Sequence, residues 1–371
     1  MKIKSVEPFV LHVPVTGSQI ADSTHTLSHW GVVGAQIETE DGLKGYGFTG
    51  THAHLPGDQL VTRCIETCHA PLLVGEDAND VHRLWLKLAR NPALQWIGRA
   101  GITTLSQAAI DVALWDLKAK RAALPLSKLL GSYRDSVRTY NTSGGFLHTP
   151  IEQVAENASH SLASGIGGIK IKVGLPDWKT DIARVERIRE HLGDDVPMMV
   201  DANQQWDRAT AQRMGRLLEQ YNLVWIEEPL DAYDAEGHAN LARSLDTPIA
   251  TGEMLASVAE HARLIEAGAQ DIVQPDAPRI GGITQFLKLA ALAESKHLEI
   301  APHFAMEIHV HLAAAYPIEP WVEHFDWLDP LFNERLKISG GRMHVSSRPG
   351  LGFTLSDQAR TWTVATAEFG R

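Results

Sequence analysis

From Val137 onward, apolar runs of four to six residues alternate with longer segments in which apolar positions recur at helical spacing. The runs Val137–Thr142, Gly168–Lys172, Pro197–Val200, Leu223–Ile226, Pro248–Thr251, Ile272–Gln274 and Leu298–Ala301, with an eighth near Pro320–Glu323, read as buried strands. Between them, Trp178–His191, Arg208–Gln220, Ala256–Ala267 and Gly282–Lys296 read as crossover helices. Strand and helix in regular alternation predict a parallel sheet, and the period of this repeat is that of a (β/α) barrel. The first third has another rhythm. Val6–Val13, Gly31–Thr39 and Gly45–Phe48 alternate in the manner of strands, with Asp41-Gly42 as a turn, and predict an antiparallel meander. Helices follow over Asp58–His69 and Ala78–Leu88, then a stronger one with Leu105, Ala108, Ala109, Val112, Trp115 and Ala119 on one face. The pattern divides the chain into an α+β unit over residues 1–125, a barrel over 126–335 and a segment over 336–371 expected to return to the first unit.

Chemistry-bearing residues close the apolar runs. Lys172, Asp201, Glu227, Glu253, Asp276 and His303 follow one another at gaps of 29, 26, 26, 23 and 27 residues, about one strand, one helix and two loops each. In a barrel, chemistry sits at the carboxyl ends of the strands, and each of these residues is predicted there. Asp201, Glu227 and Glu253 bring three carboxylates to one mouth, which suits a hard divalent cation that keeps open positions for water or substrate oxygens. Without a cation they would repel one another. Asn203 could add a neutral oxygen or touch substrate. Lys170 and Lys172 alternate with Ile169 and Ile171, so both ammonium groups face the barrel interior. To act as a base at neutral pH a lysine must fall from about 10.4 to about 7–8, and a second ammonium and a nearby cation push that way. His303 and Asp276 end neighbouring strands, where the carboxylate would fix the imidazole tautomer. His309 and His311 read as structural, and Glu323, one strand on, would complete the ring and could stabilise an oxygen anion if protonated or hydrogen-bond a hydroxyl.

Composition narrows the classes. A chain of 371 residues can bury a large core, and a formal net charge of −11 argues against nucleic acid or an anionic membrane as partner. There is no apolar run of about 18 residues, and Met1-Lys2-Ile3-Lys4 leads into a polar-interrupted strand rather than a secretory segment, so a cytoplasmic protein is expected. Cys64 and Cys68, one helical turn apart, are expected as unpaired thiols.

The strand-end set Lys170-Ile171-Lys172, Asp201, Glu227, Glu253, Asp276, His303 and Glu323 resembles the mandelate racemase subgroup of the enolase superfamily, and the likeness spans the chain. Three runs are similar to the acid-sugar dehydratases of that subgroup, those acting on L-talarate and galactarate: Asn141-Thr142-Ser143-Gly144-Gly145-Phe146-Leu147-His148-Thr149-Pro150, Val200-Asp201-Ala202-Asn203-Gln204-Gln205-Trp206-Asp207 and Ala301-Pro302-His303-Phe304-Ala305-Met306-Glu307. The resemblance implies a modified (β/α)7β TIM-like barrel with an N-terminal α+β capping domain completed by the C-terminal segment. It implies one Mg²⁺ per site on Asp201, Glu227 and Glu253, Lys172 and His303 as base and acid on opposite faces of an acid sugar, and Lys170 against its carboxylate. Loops Ile20–His25 and Thr51–Leu55 would close over the distal end, making Asp22, Ser23, His25, His52 and His54, with Tyr140, Asn203 and Glu323, the substrate-binding candidates. The family's second loop carries a basic pair; this chain has His52-Ala53-His54, which admits an aldonate such as L-lyxonate in place of an aldarate. Racemases and epimerases of 2-hydroxy acids share the same metal and bases and form the other alternative. A homo-oligomer built through the capping domain is also expected.

Overall fold

The computed structural model describes residues 1–15, 20–21, 26–27, 29–52, 55–142 and 144–364. The meander is present. Strands β1 (Ile3–Pro14), β4 (His29–Thr39) and β5 (Lys44–His52) form an antiparallel sheet in the order β1-β4-β5, while β2 (Ile20–Ala21) and β3 (Thr26–Leu27) pair with each other between β1 and β4. The predicted helix over 58–69 is split into α1 (Leu55–Cys64) and a π-helical turn at Ile65–His69, followed by α2 (Ala70–Leu73), α3 (Val81–Ala89) and α4 (Pro92–Ile97). Both cysteine thiols are free. Helix α5 (Ile102–Arg121) lies against the sheet, and α6 (Leu126–Leu129) leads to the barrel.

The α5 backbone touches the sheet where β5 lacks side chains. A Cβ at Gly47 would stand 2.1 Å from the Ala109 carbonyl oxygen and 2.4 Å from the Ala113 nitrogen, atoms that cannot move without displacing α5. Gly47→Ala is therefore expected to cost about 3 kcal/mol or more, seen as a lower urea midpoint with an unchanged slope.

The barrel strands run in chain order: β6 (Ser136–Asn141), α7 (Ile151–Ala163), β7 (Gly168–Lys172), α8 (Trp178–Leu192), β8 (Met198–Asp201), α9 (Arg208–Leu218), β9 (Ile226–Glu227), α10 (Ala235–Ser244), β10 (Ile249–Thr251), α11 (Val258–Ala267), β11 (Ile272–Val273), α12 (Ala277–Ile280), α13 (Ile283–Ser295), β12 (Glu299–Ile300), α14 (Met306–Ala314) and β13 (Trp321–His324). Each strand from β6 to β11 pairs in parallel with its successor, and β13 pairs in parallel with the other side of β6. Seven helical crossings between eight parallel strands give the (β/α)7β order. Beneath the mouth, Tyr140, Met199, Trp225, Ala250, Ile272, Ala301 and Trp321 fill the interior. After β13 a 3-10 turn (Asp326–Leu331) leads to a hairpin, β14 (Lys337–Ser339) and β15 (Arg342–His344), whose second strand runs antiparallel to β6. Helix α15 (Asp357–Thr361) follows, and the Val364 N–H donates to the Val10 carbonyl at 2.9 Å, so the chain end reaches β1.

Cap and barrel share one apolar core that runs from Ile3 and Val33 through α5 to Ile280, Phe286 and Ile308. Polar bonds cross the same seam. Thr49 Oγ1 donates to the Pro278 carbonyl at 2.9 Å, Trp85 Nε1 to the Gly281 carbonyl at 2.8 Å, and Trp115 Nε1 to Thr284 Oγ1 at 2.9 Å. Asp111 of α5 accepts from the Thr284 N–H and hydroxyl at 2.8 and 2.6 Å, and burial pushes its carboxyl up to about 7.

His261 on α11 is fully buried, neither ring nitrogen has a hydrogen-bond partner among the described residues, and burial pushes its pKa down to about 3. Its unfolded value is near 6.5, so between those pH values the unfolded chain binds a proton that the folded chain refuses, and stability falls as pH falls. His261→Leu removes this slope. The stability of the variant relative to the parent is expected to rise by about 2 kcal/mol between pH 7.5 and pH 5, read from urea melts at both pH values.

Candidate active site

The ladders place the predicted strand-end residues side by side. Lys172 on β7 is level with Asp201 on β8, and Asp201 is level with Glu227 on β9. Glu253 lies two residues past β10, beyond Gly252, where a φ of +144° and the 2.7 Å that would separate an added Cβ from the His261 ring exclude a side chain. Asp276 opens α12, and the His303 N–H donates to the Pro275 carbonyl at 3.1 Å, which draws the ends of β11 and β12 together. Around the rim the order is Lys172, Asp201, Glu227, Glu253, Asp276, His303.

Asp201, Glu227 and Glu253 each offer a carboxylate oxygen, and all three lie within 4.8 Å of one another in a buried setting. Lys170, 1% exposed, donates to Glu227 Oε1, lies 3.0 Å from Glu323 Oε1 and 3.6 Å from Asp201 Oδ2. Lys172 donates to Asp201 Oδ2. His303 Nδ1 stands 3.2 Å from Asp276 Oδ2, and its Nε2 is 3.6 Å from Glu253 Oε2. The far oxygen of Glu227 accepts from Trp225 Nε1 at 2.8 Å and Gln274 Nε2 at 2.7 Å. Thr142 Oγ1 donates to Glu323 Oε1 at 2.5 Å, and the Phe304 N–H to Glu323 Oε2 at 3.2 Å.

These contacts fix the electrostatics, and two expectations change. Burial opposes the Lys172 ammonium and Lys170 adds to that, but Asp201, Glu253 and Glu227 outweigh both and hold its pKa above the ordinary lysine value. The expected fall is not produced by the protein groups alone, because the sequence argument counted the second ammonium and not carboxylates in direct contact. Glu323 accepts from three donors; burial raises its carboxyl, yet Lys170, His303 and Thr142 bring it below the usual range, which disfavours the protonated of its two expected roles and leaves a bond to a hydroxyl. Burial also opposes the His303 imidazolium, but Glu253, Asp276 and Glu323 raise it to about 9.

A divalent cation fits this charge pattern. Among the described residues, six buried carboxyls gather here; burial, with Glu253 and Asp201 beside it, pushes Glu228 well above the usual range, and the other five (Asp201, Glu227, Glu253, Asp276, Glu323) face two ammonium groups and one imidazolium, leaving two negative charges in excess. Burial, with Asp201 and Glu253 nearby, pushes Glu227 up to about 8, the mark of a cluster short of positive charge. Glu253 Oε2 and Asn203 Oδ1 are buried without a hydrogen-bond partner among the described residues. Asp201, Glu227 and Glu253 would hold the ion, and hard oxygen donors are the set that Mg²⁺ takes.

Among the remaining candidates, Tyr140 lies fully buried beneath Lys170, edge-on to Trp225 at 5.2 Å, its hydroxyl without a partner among the described residues. Asn203 is 7% exposed, with a left-handed φ of +40°. Asp22, Ser23, His25 and His54 lie outside the described residues, and His52 closes β5 in its main chain only. Sequence reasoning missed Trp225, Gln274 and Thr142. A signal existed for the first, since Trp225 stands two residues before Glu227 and so shares its side of the strand.

Comparisons with known proteins place the chain in a family. Residues 5–131 match the N-terminal domain of the mandelate racemase / muconate lactonizing enzyme family, and residues 153–359 match the enolase C-terminal domain-like family. The chain is 55% identical to the L-talarate/galactarate dehydratase of Salmonella typhimurium over 97% of this chain and 90% of that one. The crystal structure of that organism's enzyme superposes with a TM-score of 0.95 at 53% identity, covering 98% of this chain and 92% of the other. L-talarate dehydratase from Polaromonas sp. JS666, complexed with Mg and L-glucarate, superposes with a TM-score of 0.92 at 58% identity over 98% of each chain. Among the described residues no helix is long and apolar enough to cross a membrane. A cap, a (β/α)7β barrel and a three-carboxylate mouth flanked by lysine and a His–Asp pair agree with these matches: the chain belongs to the mandelate racemase subgroup of the enolase superfamily.

Proposed function

We propose that this chain is a Mg²⁺-dependent acid-sugar dehydratase, a hydro-lyase acting on an aldarate such as L-talarate or galactarate. The observation that carries the reading is the placing of two proton carriers, Lys172 and His303, at the two ends of one row of buried carboxylates. A divalent cation on Asp201, Glu227 and Glu253 supplies positive charge where negative charge grows on the substrate carboxylate as C2 loses its proton. Lys170 adds a fixed ammonium beside that carboxylate. One proton carrier takes the C2 proton. The C3–O bond breaks, the opposite carrier delivers a proton to the departing hydroxyl so that it leaves as water, and the enol becomes the 2-keto-3-deoxy acid. For the group that donates, His303 is suited by its charged imidazolium, held through Nδ1 by Asp276 with Nε2 facing the mouth. Which carrier meets C2 follows from the configuration of that carbon.

Asp276→Asn keeps the shape but no longer stabilises the imidazolium. A fall in kcat of about 10²-fold with little change in KM is expected in steady-state 2-keto acid assays.

The substrate is tested by screening diastereomeric aldarates and aldonates with Mg²⁺, scored as semicarbazone-reactive 2-keto acid. Turnover of talarate or galactarate supports the aldarate reading, which the relatives favour. Turnover of an aldonate such as L-lyxonate alone transfers the reading to a monoacid, which the absence of Lys and Arg from residues 51–55 favours. Isotope exchange at C2 without any keto acid would overturn dehydration in favour of racemisation.

A further inference from the structure

The Asp276–His303 pair is held from behind by a second histidine. His309 lies in α14 and is fully buried. Its Nδ1 is 2.6 Å from the Phe304 carbonyl oxygen, and its Nε2 is 3.0 Å from the Ala277 main-chain nitrogen. A carbonyl can only accept and a main-chain N–H can only donate, so Nδ1 must carry the hydrogen and Nε2 must be bare. The ring is thereby fixed as one neutral tautomer. Its two partners are the residues that immediately follow His303 and Asp276.

The chain after His303 needs such an anchor. Phe304 and Ala305 have φ values of +54° and +37°, two successive non-glycine residues in the left-handed region. Each costs on the order of 1 kcal/mol and persists only where surrounding bonds over-determine it. The Phe304 residue is held at both ends, its N–H by Glu323 and its carbonyl by His309. On the other side, the Ala277 N–H is an N-terminal amide of α12, which the Asp276 side chain, turned toward His303, leaves uncapped. His309 takes that amide, so the residue after Asp276 is tied to α14 while the Asp276 carboxylate faces the imidazole.

We propose that His309 is a positioning residue for the Asp276–His303 pair, a clamp that fixes the spacing of the two strand ends by bonding the residue after each of them. The proposal rests on the reading of His303 as a proton carrier, and its structural arm is independent of that reading.

The test uses the full-length, Mg²⁺-loaded protein. His309→Phe fills the space and loses both bonds; His309→Gln retains one donor and one acceptor. With whichever acid sugar the screen identifies, His309→Phe is expected to lower kcat by about 10 to 10²-fold with KM within about 3-fold, and His309→Gln to recover part of the loss. In an Asp276→Asn background the further cost of His309→Phe is expected to shrink below about 3-fold, since a clamp acts only through the pair it holds. An undiminished cost in that background overturns the proposal. Should His309→Phe fail to fold, His309→Gln is taken through the same cycle. Crystal structures of the variants supply the arm that needs no substrate: a longer Asp276–His303 separation is expected, and an unchanged pair overturns the clamp even where the parent turns over acid sugars.

Discussion

Lys172→Ala is expected to lower 2-keto acid formation by about 10³ to 10⁴-fold while leaving Mg²⁺ binding intact. The Lys172 Nζ is the group nearest the Asp201 end of the carboxylate row, and its loss removes the proton carrier from that face. Alanine leaves Asp201 without one of its two ammonium neighbours, Lys170 remaining 3.6 Å away, so the carboxylate set for the cation persists and should hold it no less tightly. Calorimetric Mg²⁺ titration separates the two effects, because a variant that merely misfolds would lose both. His303→Asn is the companion. On a substrate whose C2 proton faces Lys172, Lys172→Ala abolishes exchange of that proton with deuterated solvent, whereas His303→Asn leaves exchange and stops elimination. A Lys172→Ala enzyme with near-parental kcat would sink the mechanism.

Chelation is expected to have an effect of the same order on rate and a measurable one on stability. The protein's own groups leave an excess of two negative charges in the mouth even with Glu228 pushed well above the usual carboxylate range, and that excess helps burial push Glu227 up to about 8. One divalent cation removes that excess. EDTA should therefore bring turnover below about 10⁻³ of its starting rate, and Mg²⁺ should restore it. At a hundred times its dissociation constant, Mg²⁺ stabilises the folded chain by about 2.7 kcal/mol, or a melting point higher by roughly 5 °C for a protein of this size. Glu227→Gln tests the assignment from the other side. It removes a charge while keeping the reach of the side chain toward Trp225 and Gln274, and it should abolish both the rate and the thermal shift. Full activity after exhaustive chelation would remove the cation from the reading.

Much of this was legible because a barrel turns spacing into position. Lys172, Asp201, Glu227, Glu253, Asp276 and His303 needed only a strand-end placement and a period, and the ladders bring the first three level. Strand lengths were less legible. Of the apolar run Leu223–Ile226 only Ile226 lies in β9 (Ile226–Glu227), although the Val224 N–H still reaches the Met198 carbonyl at 2.8 Å. Hydrophobicity reports burial, and burial continues where the ladder has stopped. The charge states of Lys172 and Glu323 were illegible for a different reason. They depend on which oxygens stand within about 3 or 4 Å, the range over which charges in a dry interior act strongly, and residue spacing carries no such information. Trp225, Gln274 and Thr142, which hold the carboxylates in place, resembled ordinary core and loop residues until their donors were seen to converge.

The seam between cap and barrel determines where the enzyme can open. Thr49, Trp85, Trp115 and Asp111 all grip α12 and the start of α13, the stretch that begins one residue after Asp276. Rotating the cap as a rigid lid would drag that helix, and with it the carboxylate behind His303. Along this seam the two bodies remain one frame. Such a frame has a practical reading for redesign: any cut through the α5–α12 contact would shift Asp276, and the His303 ring it faces, along with the cap.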